Sequence, residues 1–235
     1  MSDASQSGPV AAYERPRLHF PMTAPNSDVL LGACGWLSER DPALAAAFAA
    51  YGVPQWRVGQ PEYAVIARMI AFQQITTKAA RTIWDRVEAR LGTVHTHTVL
   101  GEDEEALRAC GLSRPKIRHL RSIAEAIESG ELDLERVHKA GMEEARAELI
   151  AVKGIGPWTA DLFLMACGRL DAFPVGDVGL MESYRLLSES EARLDSRAFS
   201  ERAESWRPYR GVAAHLLWAW INAERAKAYA ADGGG

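Results

Sequence analysis

Asp177 stands twenty-one residues after Gly156, and between the two lies one apolar helix followed by a short Phe173-Pro174-Val175-Gly176 loop. That spacing could hold a carboxylate at a fixed distance from the turn Gly154-Ile155-Gly156. Glycine at both ends of the turn lets the chain bend sharply and lets another molecule approach it without meeting a Cβ. Pro157 follows in the first helical turn, where its missing N–H costs nothing. The result is a helix start with free amides behind a turn bare of side chains, suited to a phosphate oxygen. A carboxylate held beside an anion site can stabilise positive charge that develops on a neighbouring group and can orient a water molecule. Taken locally, Asp177 is equally a helix N-cap, and one carboxylate can serve both ends.

The chain that must position these groups has 235 residues, about half of them apolar and a quarter charged, a globular composition. Length allows one domain or two small ones. No apolar run reaches membrane-spanning length and no secretion signal opens the chain, so a cytoplasmic, membrane-free protein is expected. Cys34, Cys110 and Cys167 are odd in number and far apart, which suits reduced structural thiols. The net charge of −4 argues mildly against a nucleic-acid partner, although a local basic face is compatible with it.

Residues 1–27, rich in Ser, Ala and Pro without a sustained period, are expected to form a flexible arm. Asp41-Pro42 starts a helix that Gly52 ends, and Pro61-Glu62 starts the next, which runs to Gln73-Gln74. The run Glu102 to Glu105 places four acids in a first turn. Ser113 caps a helix with Ile117, Leu120, Ile123 and Ile127 at helical spacing. After Asp177 a helix runs through Leu187, an acidic and polar connection follows, and Pro208 opens the final long helix. Only Thr93 to Val99 alternates like a strand, and it stands alone. The expectation is an all-α fold.

The longer pattern, Val152-Lys153-Gly154-Ile155-Gly156 with Trp158-Thr159-Ala160, then Phe173-Pro174 and Asp177, resembles the helix-hairpin-helix DNA glycosylase superfamily, and within it the 3-methyladenine DNA glycosylase II type. Gln73-Gln74-Ile75-Thr76, Gly111 to Lys116 and Trp206 to Arg210 are similar to further family segments in the expected order, so coverage runs from about residue 41 to 225. The resemblance implies two helical lobes with a DNA cleft between them: residues 61–170 as one, and 28–60 with 171–230 as the other. It also implies a compact form without the N-terminal β domain of larger relatives.

By the same resemblance Asp177 is the catalytic aspartate: breaking a base–sugar bond leaves positive charge on the sugar, as in glycoside hydrolysis, and its carboxylate would stabilise that charge. Trp158 stands where strand-cutting relatives place a lysine, which implies hydrolysis that stops at the abasic site. The pocket for a flipped, cationic base would be aromatic. Trp158 and Trp218 are the candidates, with Phe72 and Tyr63 behind them; each also reads as ordinary core packing. Leu162 replaces an aromatic residue and points to a roomier pocket. DNA contacts would come from Val152, Lys153, Gly154, Ile155 and Gly156 on the hairpin, and from Gln73, Gln74 and Thr76, with Gln74 filling the gap left by the base. Arg114 and Lys116 sit at a helix start, where cations oppose the dipole and phosphate contact offers a reason for them; Arg207 and Arg210 form a second cluster.

Six histidines without ligand spacing give no catalytic metal, and the cysteine spacing excludes a four-cysteine iron–sulfur loop. No cofactor is required; a sodium, potassium or magnesium ion on the carbonyls of Val152 and Ile155 is implied only by resemblance. The reading is a monomeric, monofunctional glycosylase acting on alkylated purines (3-methyladenine, 7-methylguanine type) in double-stranded DNA. The alternatives are a non-catalytic hairpin module that binds DNA, or a glycosylase for oxidised or deaminated bases.

Overall fold

The structure, a computed structural model, describes residues 25–231 apart from residue 57, and only the backbone of 231. The expected arm at 1–27 therefore lies almost wholly outside the described residues. Among these the chain forms thirteen α-helices and one 3₁₀ turn, with no strand, so the all-α expectation holds.

Two groups of helices pack around one continuous core. The first joins the two ends of the chain. Helices α1 (Ser27–Ser38) and α2 (Pro42–Tyr51) pack on α11 (Val178–Leu187) and α13 (Arg210–Ala231). Asp41 ties them together: it caps α2 through the Ala43 amide and accepts the Trp206 indole N–H at 2.9 Å and the Arg202 guanidinium. A buried carboxylate is tolerated only when so fully bonded. Trp206 in turn nests among Phe173, Tyr184 and Phe199, edge-on to the two phenylalanines. In the second group α3 (Tyr63–Phe72) packs on α4 (Thr77–Leu91), α7 (Arg114–Glu128) and α10 (Pro157–Ala166), and α10 pairs with α9 (Met142–Ala151). Gly59 N–H to Ala166 O and Gly211 N–H to Leu170 O, both 2.8 Å, tie the groups to each other.

Several local expectations change. The alternating segment 93–99 folds into α5 (Thr96–Gly101), because Val94 and Val99 find the core through a helical turn in which Thr98 and the His95 backbone bond each other. Glu102 is not in a first helical turn. It ends α5 and forms a two-pronged pair with Arg90, while Asp103 caps α6 (Glu104–Ala109). The polar connection after Leu187 contains a helix, α12 (Ser196–Ala203), which buries Phe199 and Ala203 against the aromatic cluster. Leu132 to Val137 leads to a short α8 (Leu134–Lys139). The three cysteines are free and buried; burial pushes Cys34 up to about 11 and Cys167 up to about 12, which suits inert core thiols.

Candidate active site

The hairpin is the turn between α9 and α10. Val152 and Ile155 are buried anchors, and the Ile155 amide closes the turn on Val152 O at 3.1 Å. The two glycines differ in their reasons. Gly154 has φ +103°, and a Cβ there would sit 2.8 Å from His119 Cβ and 3.1 Å from its Cα. Gly156 has an ordinary φ of −85°, and a Cβ there would meet nothing within 4 Å. The first glycine is demanded by the fold. The second keeps open the side from which a ligand arrives. No side chain caps α10, so the amides after Pro157 are left for an anion. Lys153 beside them is exposed and makes no ion pair among the described residues.

Hairpin and acid meet in one cleft of about 780 Å³, whose lining includes Gln73, Gln74, His119, Gly154, Gly156, Trp158, Asp177 and Val178. Asp177 is the N-cap of α11 and its Oδ1 accepts the Leu180 amide at 2.9 Å. Both candidate tryptophans close on the same carboxylate: Trp218 Nε1 donates to Oδ1 at 3.2 Å and Trp158 Nε1 to Oδ2 at 3.0 Å. A carboxylate oxygen offers about two lone-pair sites. Oδ1 has therefore spent both, and Oδ2 keeps one for a molecule in the cleft. The cap reading of Asp177 holds and uses Oδ1, which leaves the second lone pair of Oδ2 uncommitted among the described residues.

Trp158 lines the cleft, whereas Trp218 is not among its lining residues. Trp218 stands behind Asp177, edge-on to His215, which stacks on Trp56 with centroids 4.0 Å apart. Gln73 donates from Nε2 to Thr159 Oγ1 at 2.9 Å, which fixes it to α10. Gln74 is exposed in the left-handed region, φ +58°, at the crest of the turn after α3. Such a backbone costs a residue with a Cβ about 1–2 kcal/mol, and the Lys116 ammonium holds it by bonding Ala71 O and Gln73 O, both at 2.8 Å. Thr76 caps α4 through the Ala79 amide.

Several expected roles change. Tyr63 is buried in the core with its hydroxyl on Leu120 O, and desolvation raises its pKa; it does not line this cleft. Phe72 lies under the Arg68 guanidinium, 5.1 Å away, and Leu162 packs against the core; neither lines the cleft. Lys116 is spent on the orphan carbonyls ending α3, and burial lowers its pKa, so it is not a free phosphate ligand. Arg114 pairs with Glu104 and Glu105. The second basic cluster is neutralised too: Arg207 and Arg210 both engage Asp171 and Glu204.

No group of three or more His, Cys, Asp or Glu side chains able to hold a metal occurs among the described residues.

The comparisons with known proteins agree with this geometry. Residues 67–208, more than half of the chain, match the HhH-GPD superfamily of base excision DNA repair proteins. DNA-3-methyladenine glycosylase 1 of Schizosaccharomyces pombe is 33% identical over 161 residues, covering 66% of this chain and 71% of that one. The Bacillus subtilis DNA-3-methyladenine glycosylase is 36% identical over 104 residues, 44% of this chain and only 34% of its own length. Among solved structures, the Schizosaccharomyces pombe 3-methyladenine DNA glycosylase in complex with abasic DNA superposes with a TM-score of 0.72 at 30% identity, covering 80% of this chain and 95% of that one. The chain belongs to the HhH-GPD superfamily of base excision DNA repair proteins, within its 3-methyladenine DNA glycosylase type.

Proposed function

We propose that the protein hydrolyses the N-glycosidic bond of alkylated purines, of 3-methyladenine and 7-methylguanine type, in double-stranded DNA and stops at the abasic site. The observation that carries this reading is the carboxylate of Asp177, clamped by the indoles of Trp158 and Trp218 in the cleft that the hairpin borders. The backbone at Gly156 and the uncapped start of α10 take a phosphate of the lesion strand, with Lys153 beside them. Gln74 enters from the minor-groove side and occupies the space of the extruded base. The base bond then breaks against the spare lone pair of Oδ2, which stabilises the positive charge growing on the sugar and orients the attacking water. An alkylated purine is already cationic, so it leaves without strong acid assistance, and no acid is needed opposite Asp177. Trp158 has no amine, which supports hydrolysis without strand cutting.

The chain acts as a monomer in this reading. At the hairpin, Val152 O has given one lone pair to Ile155 N–H and keeps another. Neutral carbonyls of this kind fit a weakly held sodium, potassium or magnesium ion, which would stiffen the turn and add positive charge beside the phosphate.

The test is release of methylated purines from a methylated duplex, run beside duplexes carrying hypoxanthine, ethenoadenine or 8-oxoguanine. Wild type should act fastest on the methylpurines and leave an uncut abasic strand. Asp177→Asn should lower single-turnover release at least about a hundredfold, the scale of losing a charge-stabilising group, while duplex binding persists. Normal release by Asp177→Asn would end the assignment of the carboxylate. Binding without release by wild type would leave a DNA-binding module.

A further inference from the structure

Not every cation that the fold leaves without an ion pair among the described residues stands out in the sequence. Arg90, Arg108 and Arg114 are all neutralised, by Glu102, Glu105 and Glu104. Lys78 and Arg86 on α4 are exposed and make no ion pair among the described residues, in a chain whose acids outnumber its lysines and arginines. With Thr82 they fall at four-residue spacing, one above another on a single helix face. They line a groove of about 410 Å³ together with Thr76, Ala79 and Ile83. Asp85 and Glu88, the acids of the same helix, are not among its lining residues. The groove floor is firm: Ile83 packs beneath Gly111, where a Cβ would come within 2.8 Å of it.

The turn Gln73–Thr76 separates this groove from the Asp177 cleft. Gln73 and Gln74 line the one, and Thr76 lines the other. The crest is tied down on both sides, by Gln73 to Thr159 and by Lys116 to the carbonyls of Ala71 and Gln73. A duplex entered by such a crest from its minor groove has one backbone on each flank. The strand whose base reaches Asp177 must take the hairpin flank, which leaves the other strand for α4.

We propose that the α4 groove of Lys78, Thr82 and Arg86 seats the phosphate backbone of the strand opposite the lesion. This rests on the DNA reading above, and adds to it a second, lesion-independent hold. It makes the protein a reader of duplex rather than of single strands, because the two flanks can be filled together only by paired strands.

The double variant Lys78→Gln/Arg86→Gln in the full chain tests it. Binding is measured by fluorescence anisotropy across a salt series. One probe is a duplex with a tetrahydrofuran abasic site, and the other is the same lesion strand alone. Duplex affinity should fall about tenfold near physiological salt. The slope of log K against log salt should shrink by about two, because two phosphates would keep the counterions that Lys78 and Arg86 otherwise displace. Binding to the single strand should not change. Equal weakening on both probes, or an unchanged duplex slope, would overturn the proposal. A wild type that releases no base, with a variant that still weakens on duplex alone, would sink the enzymatic reading and leave the groove standing.

Discussion

On the hairpin wall of the cleft, Gly154 and Gly156 offer backbone and almost nothing else, whereas on the other wall Asp177 offers a side chain with three hydrogen bonds on it. In the proposed function the contrast follows from what each wall would have to meet. A phosphate is the same at every nucleotide, so amides fixed by helix geometry serve for all of them, and the wall needs only to stay bare. A reacting sugar must be met within a few tenths of an ångström, so the carboxylate is oriented from a helix amide and two indoles. A fold can supply the first wall from a short local segment. The second needs residues from three places in the chain: Trp158 on α10, Asp177 and Leu180 at the start of α11, and Trp218 on α13.

The hairpin wall can be broken in two ways that differ in kind. Gly154→Ala adds a Cβ to a backbone at φ +103° and sets it 2.8 Å from His119. Overpacking and left-handed strain together should cost on the order of 3 kcal/mol, read as a lower urea midpoint, with DNA binding lost alongside. Gly156→Ala meets nothing inside the protein, so stability should hold within about 0.5 kcal/mol while duplex affinity falls. If Gly156→Ala binds the duplex like wild type, no phosphate approaches that backbone.

The carboxylate wall should respond in finer steps. Trp158→Phe leaves Oδ2 with no bond from the protein, while Trp218→Phe leaves Oδ1 its bond from Leu180 N–H. A hydrogen bond to a charged group contributes about 1.5–3 kcal/mol. Single-turnover release should therefore fall about ten- to a hundredfold for Trp158→Phe and less for Trp218→Phe. The reverse order would mean that Oδ1, not Oδ2, meets the sugar.

What the sequence made legible was mostly local. The hairpin, the cap at Asp177, the caps at Asp41 and Ser113, and the helical periods all depend on residues a few positions apart, and they fold as their types suggest. The partners of the charged residues were hidden. Arg114 and Lys116 look alike on paper, yet one meets acids from α6 and the other reaches back 45 residues to Ala71 O. Nothing in their own neighbourhood tells which cations remain free. Tyr63 and Phe72 sit on a helix with apolar residues on most sides, so pattern alone could not say which faces a cleft. Trp218 was legible as a candidate but not in its role, since the bond to Asp177 spans 41 residues. Helix α12 was missed because its buried face is little more than Phe199 and Ala203, too few to show a period.

The smallest expected effect lies behind the clamp. His215 stacks on Trp56 and meets the edge of Trp218, and burial lowers its pKa below the usual 6.5 despite the bond between its Nδ1 and Gly211 O. The carbonyl can only accept, so Nδ1 carries the proton of the neutral ring. Below pH 6.5 the unfolded chain takes up a proton at this histidine that the folded chain does not yet bind. Folding stability from this group is therefore complete above pH 6.5 and declines as the pH falls, until the folded pKa is reached. The slope is bounded at about 1.4 kcal/mol per pH unit for one proton. His215→Asn can still donate to Gly211 O and does not titrate, so the wild-type-minus-variant difference in urea unfolding free energy should shrink between pH 7.5 and 5.5. A difference that stays flat across that interval would show that the ring protonates as readily folded as unfolded, and that the packing behind Trp218 is open to water.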